Sequence, residues 1–110
     1  VPGQVAALVL AAGAGRRYGR PKALVELGGR LLVEQAVATA RDGGCHPVIT
    51  VLGARAASVR AEADLTGAIA VDNPDWTIGL GSSLRVGLAA LHDTAAVAAL
   101  VLLVDMPGIT

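Results

Sequence analysis

The chain has 110 residues with nine basic and nine acidic side chains, so its formal charge is zero and no surface of one sign is expected to coat nucleic acid or an anionic membrane. Apolar residues make up 54% of it, mostly Ala, Val and Leu, while Tyr18 and Trp76 are the two aromatics, too few for the stacking platforms of a single-strand nucleic-acid binder. One cysteine, Cys45, excludes an internal disulfide and reads as a small core hydrophobe, and no apolar run approaches the ~20 residues of a membrane span or follows a basic leader.

Along the chain, Val5 to Ala11 is a continuous apolar run bounded by turn residues, the pattern of a strand covered on both faces. Leu32, Val33, Ala36, Val37 and Ala40 then fall on one helical face, and Gly43-Gly44 stops the pattern. A second strand is expected over Pro47 to Leu52. Ala54 to Asp64 alternates like a strand, but its Ala, Arg and Glu content favours a helix. Ala68 to Val71 predicts a third strand. Ser82 or Ser83 is expected to cap a last helix with an apolar stripe of Leu84, Leu88 and Leu91, and Val97 to Val104 predicts a fourth strand. The order β-α-β-α-β-α-β predicts an open, mostly parallel α/β sheet in a single globular unit. His46 and His92 read as surface or capping residues, and Arg85 as either a phosphate contact or a surface ion-pair partner. A start at Val1 and a stop just past an apolar strand lead us to expect that the chain continues in the intact protein.

In such sheets ligands sit beyond the carboxyl ends of the strands, where the strand order reverses. Two strands end in chemistry, the first at Gly13 and the last at Asp105. Gly13, Gly15 and Gly19 are spaced G-x-G-x-x-x-G, one residue too long for the dinucleotide fingerprint, and the second strand ends at Leu52-Gly53 without a ribose-binding acid. Lys22 follows Arg20-Pro21 and precedes Ala23, so the loop is no Walker A motif either. What remains is a third kind of phosphate loop. Its glycines let backbone amides approach phosphate oxygens, and Arg16, Arg17 and Lys22 supply positive charge. The plainer alternative is a solvated turn with surface arginines, and Asp105 has its own as a turn cap.

The run LVLAAGAGRRYGRPKAL (Leu8 to Leu24) resembles the signature of the MobA-like nucleotidyltransferases. VITVLGA (Val48 to Ala54), NPDWTIGLGSSLRVGL (Asn73 to Leu88) and LLVDMP (Leu102 to Pro107) agree with that family in order and spacing. The resemblance is to its molybdenum cofactor cytidylyltransferase and nicotine blue oxidoreductase-like branch. It implies a three-layer Rossmann-like nucleotide-diphospho-sugar transferase fold, of which residues 1–110 would be the N-terminal nucleotide-binding part. On the matching positions, Leu10, Ala11, Ala12, Gly13, Ala14 and Gly15 would approach base and phosphates, with Arg16, Arg17 and Lys22 on the phosphates. Asp105 would hold Mg²⁺, and Arg17, Lys22 and Asp105 would be the catalytic groups. Asn73, Gly79, Ser82 and Ser83 would close over base and ribose, although each also has a turn, loop or cap reading, and Trp76 would cover the loop. Ala12, where the guanylyl branch carries Gly, leans the preference toward cytidine. Tyr18 and Met106 depart from the residues usual in the family. The acceptor pocket and a second metal-binding aspartate would come from residues beyond Thr110.

The activity so implied is Mg²⁺-dependent transfer of CMP from CTP to a small phosphorylated acceptor such as a molybdopterin, in the cytoplasm, without nucleic-acid or membrane partners. Two rivals stand beside it. One is an NAD(P)H-dependent reductase of the nicotine blue oxidoreductase type, with Arg16, Arg17 and Arg20 toward a 2′-phosphate. The other is a non-catalytic nucleotide-binding accessory protein with a molybdenum hydroxylase as partner.

Overall fold

The computed structural model describes residues 4–12, 26–54, 56–92, 94, 96 and 98–104. Its first strand, β1 (Val5–Ala11), carries no polar side chain, and Ala6 through Ala11 are all buried. A two-residue pair, β2 (Glu26–Leu27) and β3 (Arg30–Leu31), turns through Gly28 and Gly29, both at positive φ, a region that glycine enters without steric cost. Then follow α1 (Leu32–Asp42), β4 (Val48–Leu52), α2 (Ala56–Glu62), β5 (Ile69–Asp72), a short 3₁₀ turn (Trp76–Ile78), α3 (Leu80–Ala90) and β6 (Ala98–Leu103).

Strands β5, β4, β1 and β6 form one parallel sheet in that order, with Ala7 beside Val48, Leu8 beside Val101 and Ile49 beside Ile69. The first two crossovers step outward from β1 to β4 to β5, and the third returns past β1 to its other side. Right-handed crossovers send the helix to the opposite face when the lateral direction reverses. The packing follows that rule. Ala7, Val9 and Ala11 of β1 face α1 and α2, where they meet Leu32, Val33 and Val37 of α1 and Val59 of α2. Leu8 and Leu10, with Ile49 and Val51 of β4, face α3.

Side-chain size is complementary across each face. Small strand residues meet Val and Leu on the α1 and α2 side. On the other side Leu84, Val86 and Leu91 pack around the strand leucines, and Gly87 lets the helix come close between them: a Cβ there would lie 3.2 Å from both methyl carbons of Leu8 and 3.3 Å from Val51 Cγ2. Fully burying each large side chain of this core contributes roughly 1.5–3 kcal/mol.

The sequence expectation of an open, mostly parallel α/β fold holds, and the strand and helix boundaries shift by one or two residues. Several details differ. The β2–β3 pair has no counterpart in the sequence pattern, because a strand of two residues is too short to show a period. Neither Ser82 nor Ser83 caps α3: Gly79 holds the N-cap position without a side-chain bond, and both serines lie inside the helix, buried. Leu88 stands exposed rather than in the apolar stripe, because Gly87, one position earlier, is the residue that faces Leu8. Strand β6 is less covered than its sequence suggests, with Leu100, Val101 and Leu103 exposed. Cys45 is a free, half-buried thiol packed at the edge of the α1 cluster.

Candidate nucleotide site at the carboxyl edge of the sheet

A parallel sheet gathers the carboxyl ends of its strands on one edge, and here the lateral order reverses between β1 and β6. Backbone bonds tie that edge together beyond the regular ladders. Val104 N donates to Leu10 O (3.2 Å), Ala54 N to Ala12 O (3.1 Å) and Asn73 N to Leu52 O (2.7 Å). Ala12 and Val104 therefore flank the reversal point, and the next residues in sequence are Gly13 and Asp105. Gly13, Ala14, Gly15, Arg16, Arg17, Lys22 and Asp105, like Tyr18, Arg20 and Met106, lie outside the described residues.

Leu10, Ala11 and Ala12 are at most 7% exposed, with their side chains in the core. What they offer a ligand at this edge is backbone. Asn73, Ser82 and Ser83 are brought together, and they bond to one another. Asn73 Nδ2 donates to Ser82 Oγ and Ser83 Oγ, both at 2.9 Å, while Asn73 Oδ1 accepts from Asp75 N at 3.0 Å. Ser82 Oγ donates toward Asp75 O (3.0 Å) and Gly79 O (2.8 Å). Buried polar groups need partners, and this network supplies them within the loop itself. The segment from the end of β5 into α3 is thus fixed against the edge, and Gly79, at φ 130°, makes the sharp turn into the helix that other residues rarely adopt.

Trp76 opens the 3₁₀ turn at the centre of this segment. It packs against Gly53 so closely that a Cβ there would fall 2.7 Å from Trp76 Cγ and 2.7 Å from Ala12 Cβ. Asp72, at the end of β5, lies at the same edge and is paired with Arg60 at 2.9 Å, with both side chains largely exposed. Among the described residues, the carboxyl clearly displaced from its ordinary value is that of Asp64, which belongs to the opposite, amino edge. The Thr66 hydroxyl and then the Thr66 N–H hold it below the usual carboxylate value.

Residues 7–110 match the MobA-like NTP transferase domain. The chain belongs to that family. It is 50% identical over 107 residues to the nicotine blue oxidoreductase of Paenarthrobacter nicotinovorans, covering 96% of this chain and 52% of that protein. It is 38% identical over 109 residues to a probable molybdenum cofactor guanylyltransferase of Opitutus terrae, covering 96% of this chain and 50% of the relative. Among solved structures, Rv0371c from Mycobacterium tuberculosis H37Rv superposes with a TM-score of 0.79 at 32% identity, over 100% of this chain and 56% of that one. Rv0371c has also been solved in complex with manganese. The chain spans about half the length of these relatives.

For this MobA-like chain, the sequence pattern anticipates the strand-end edge and misses two residues on it. The contact of Gly53 with Trp76 and Ala12 joins three distant segments, and its signal in the sequence is a glycine directly after an apolar strand. Asp72 escapes because the apolar run stops at Val71, one residue before the strand does.

Proposed function

We propose that the chain is the nucleotide-binding part of a nucleotidyltransferase that moves a nucleoside monophosphate, CMP from CTP, onto a phosphorylated acceptor such as a molybdopterin, releasing pyrophosphate. The observation that carries this reading is the backbone bond across the reversal point, Val104 N to Leu10 O, which brings the ends of β1 and β6, and so the residues preceding Gly13 and Asp105, to one edge. Family membership supports the reaction class.

In-line attack of an acceptor phosphate on the α-phosphorus brings two anions together, so positioning and charge neutralisation carry most of the catalysis. Amides of Gly13, Ala14 and Gly15 would hold the phosphate chain. Arg16, Arg17 and Lys22 would offset charge that builds on the departing pyrophosphate. Among the described residues no cluster of three His, Cys, Asp or Glu side chains offers a protein-only metal cage. Mg²⁺ takes one or two carboxylates together with phosphate oxygens and water, and Asp105, two residues past β6 in sequence, would supply one. Asp105 would hold that ion, which supplies charge neutralisation at the phosphates when bound. Ala12, rather than a second glycine, is the basis for preferring cytidine.

The 50% identity to a nicotine blue oxidoreductase supports a second reading, in which the same edge holds NAD(P)H and Arg16, Arg17 and Arg20 meet its 2′-phosphate. Calorimetric titration with CTP and with NADPH, each with and without Mg²⁺, separates the two. Binding of CTP that requires Mg²⁺ is the result expected. Binding of NADPH without Mg²⁺, with no response to CTP, overturns the transferase reading in favour of the reductase.

A further inference from the structure

A nucleotide at the carboxyl edge presents a flat, largely apolar base as well as phosphates, and a site that selects nucleotides needs a surface for it. Asn73, Ser82 and Ser83 have their side-chain hydrogen bonds committed within the loop. Trp76 is different. It is the single tryptophan of the sequence, it is half-buried, and no hydrogen bond to its indole N–H is formed among the described residues. Ile78 and Leu80, which follow on the same segment, are 70% and 57% exposed.

The stem of Trp76 is held from both sides. Asp75 N donates to Asn73 Oδ1, Ser82 Oγ donates to Asp75 O, and Gly79 N donates to Trp76 O (3.3 Å). The ring root then lies in the space that any side chain at position 53 would fill, directly beside Ala12 Cβ. An indole root is thus fixed against the residue that follows β1, at the strand ends where ligands of open α/β sheets bind.

We propose that Trp76 is the wall against which the nucleobase rests, and that Gly53 is a positioning residue, bare so that the indole can close onto Ala12. This rests on the nucleotide-binding reading above. A base stacks on an indole whatever its exocyclic groups. Trp76 would therefore raise affinity for nucleosides in general, leaving the choice of base to the backbone of Leu10 to Ala12.

Inorganic tripolyphosphate carries the phosphate chain without the base, and it separates the wall from the loop. The test is calorimetric titration of the wild-type chain, Trp76→Phe, Trp76→Ala and Gly53→Ala with CTP and with tripolyphosphate, both with Mg²⁺, together with indole emission of the wild type. CTP should change Trp76 emission and tripolyphosphate should not. Trp76→Ala should weaken CTP about 5- to 150-fold, the range measured for base stacking on aromatic side chains, with tripolyphosphate affinity unchanged. Trp76→Phe, which keeps a ring on the same stem, should retain most of the CTP affinity, and Gly53→Ala should lose it in the manner of Trp76→Ala. Equal losses for both ligands, or no loss for either, would overturn the inference while leaving the triphosphate site in place. If the wild type binds neither ligand, the functional reading fails and the inference falls with it.

Discussion

Replacing Asn73 by alanine would remove an amide that makes three hydrogen bonds inside the segment joining β5 to α3. The consequences differ among its partners. Asp75 is exposed, so water can replace the bond to its N–H, and Ser82 Oγ keeps the carbonyls of Asp75 and Gly79. Ser83 Oγ, on a residue 3% exposed, has Asn73 as its side-chain partner among the described residues and would be stranded. Two bonds at ~1 kcal/mol net, plus a buried hydroxyl left unpaired at roughly 1–3 kcal/mol, predict a loss of about 3–5 kcal/mol. Urea unfolding of Asn73→Ala, Ser83→Ala and the double variant measures it. Because the second substitution removes the stranded hydroxyl, the double variant should be no less stable than Asn73→Ala, giving a coupling on the order of 1 kcal/mol. A loss below about 0.5 kcal/mol for Asn73→Ala, the ordinary surface value, or strict additivity, would refute the claim that this network fixes the loop.

Thr50 Oγ1 is buried without a hydrogen-bond partner among the described residues in the middle of β4, so Thr50→Val, of equal shape, should raise stability by about 1 kcal/mol in thermal unfolding; a loss of that size would mean the hydroxyl has a partner after all. In the intact protein that contains this chain, Lys22→Ala should lower the proposed nucleotidyl transfer by a factor on the order of 10²–10³, as for removal of one transition-state donor, and a loss below about threefold would remove Lys22 from the catalytic set. At the amino edge, Asp64 is stabilised in its charged form by Thr66. Its folded-state value lies below the ordinary 3.8, so its contribution to stability is present above that pH and fades as the pH falls through the lowered value. Thr66→Ala should therefore move the Asp64 titration midpoint upward by NMR; an unmoved midpoint would assign the shift elsewhere.

The sheet was legible because its signal is local: Val5 to Ala11 and Val48 to Leu52 are almost unbroken apolar runs, and burial on both faces requires such runs. The face assignment of α3 was legible in part: Leu84 and Leu91 of the expected stripe pack on the core, and Leu88 does not. Two serines and a glycine turn inward there, and a pattern that counts leucines points to Leu88 instead. Packing decided it at position 87, where Leu8 and Val51 approach so closely that a residue without a side chain fits between the larger contacts of Leu84 and Leu91. The staple of Asn73, Ser82 and Ser83 was visible as residue types and hidden as an arrangement: the asparagine lies nine and ten residues from its serines. Gly53 shows the same limit, because its neighbours Ala12 and Trp76 come from other parts of the chain. For Arg17, Lys22 and Asp105 the sequence remains the source of the assignment.

The central claim is that the carboxyl edge between β1 and β6 holds a nucleoside triphosphate with a divalent cation on Asp105. Thermal unfolding of the wild-type chain and of Asp105→Ala, each with CTP alone, with Mg²⁺ alone and with both, tests it most directly. The account predicts a rise in Tm for the wild type when CTP and Mg²⁺ are both present, and none for Asp105→Ala. An equal rise in both proteins, or a rise with CTP that is indifferent to Mg²⁺, would contradict it.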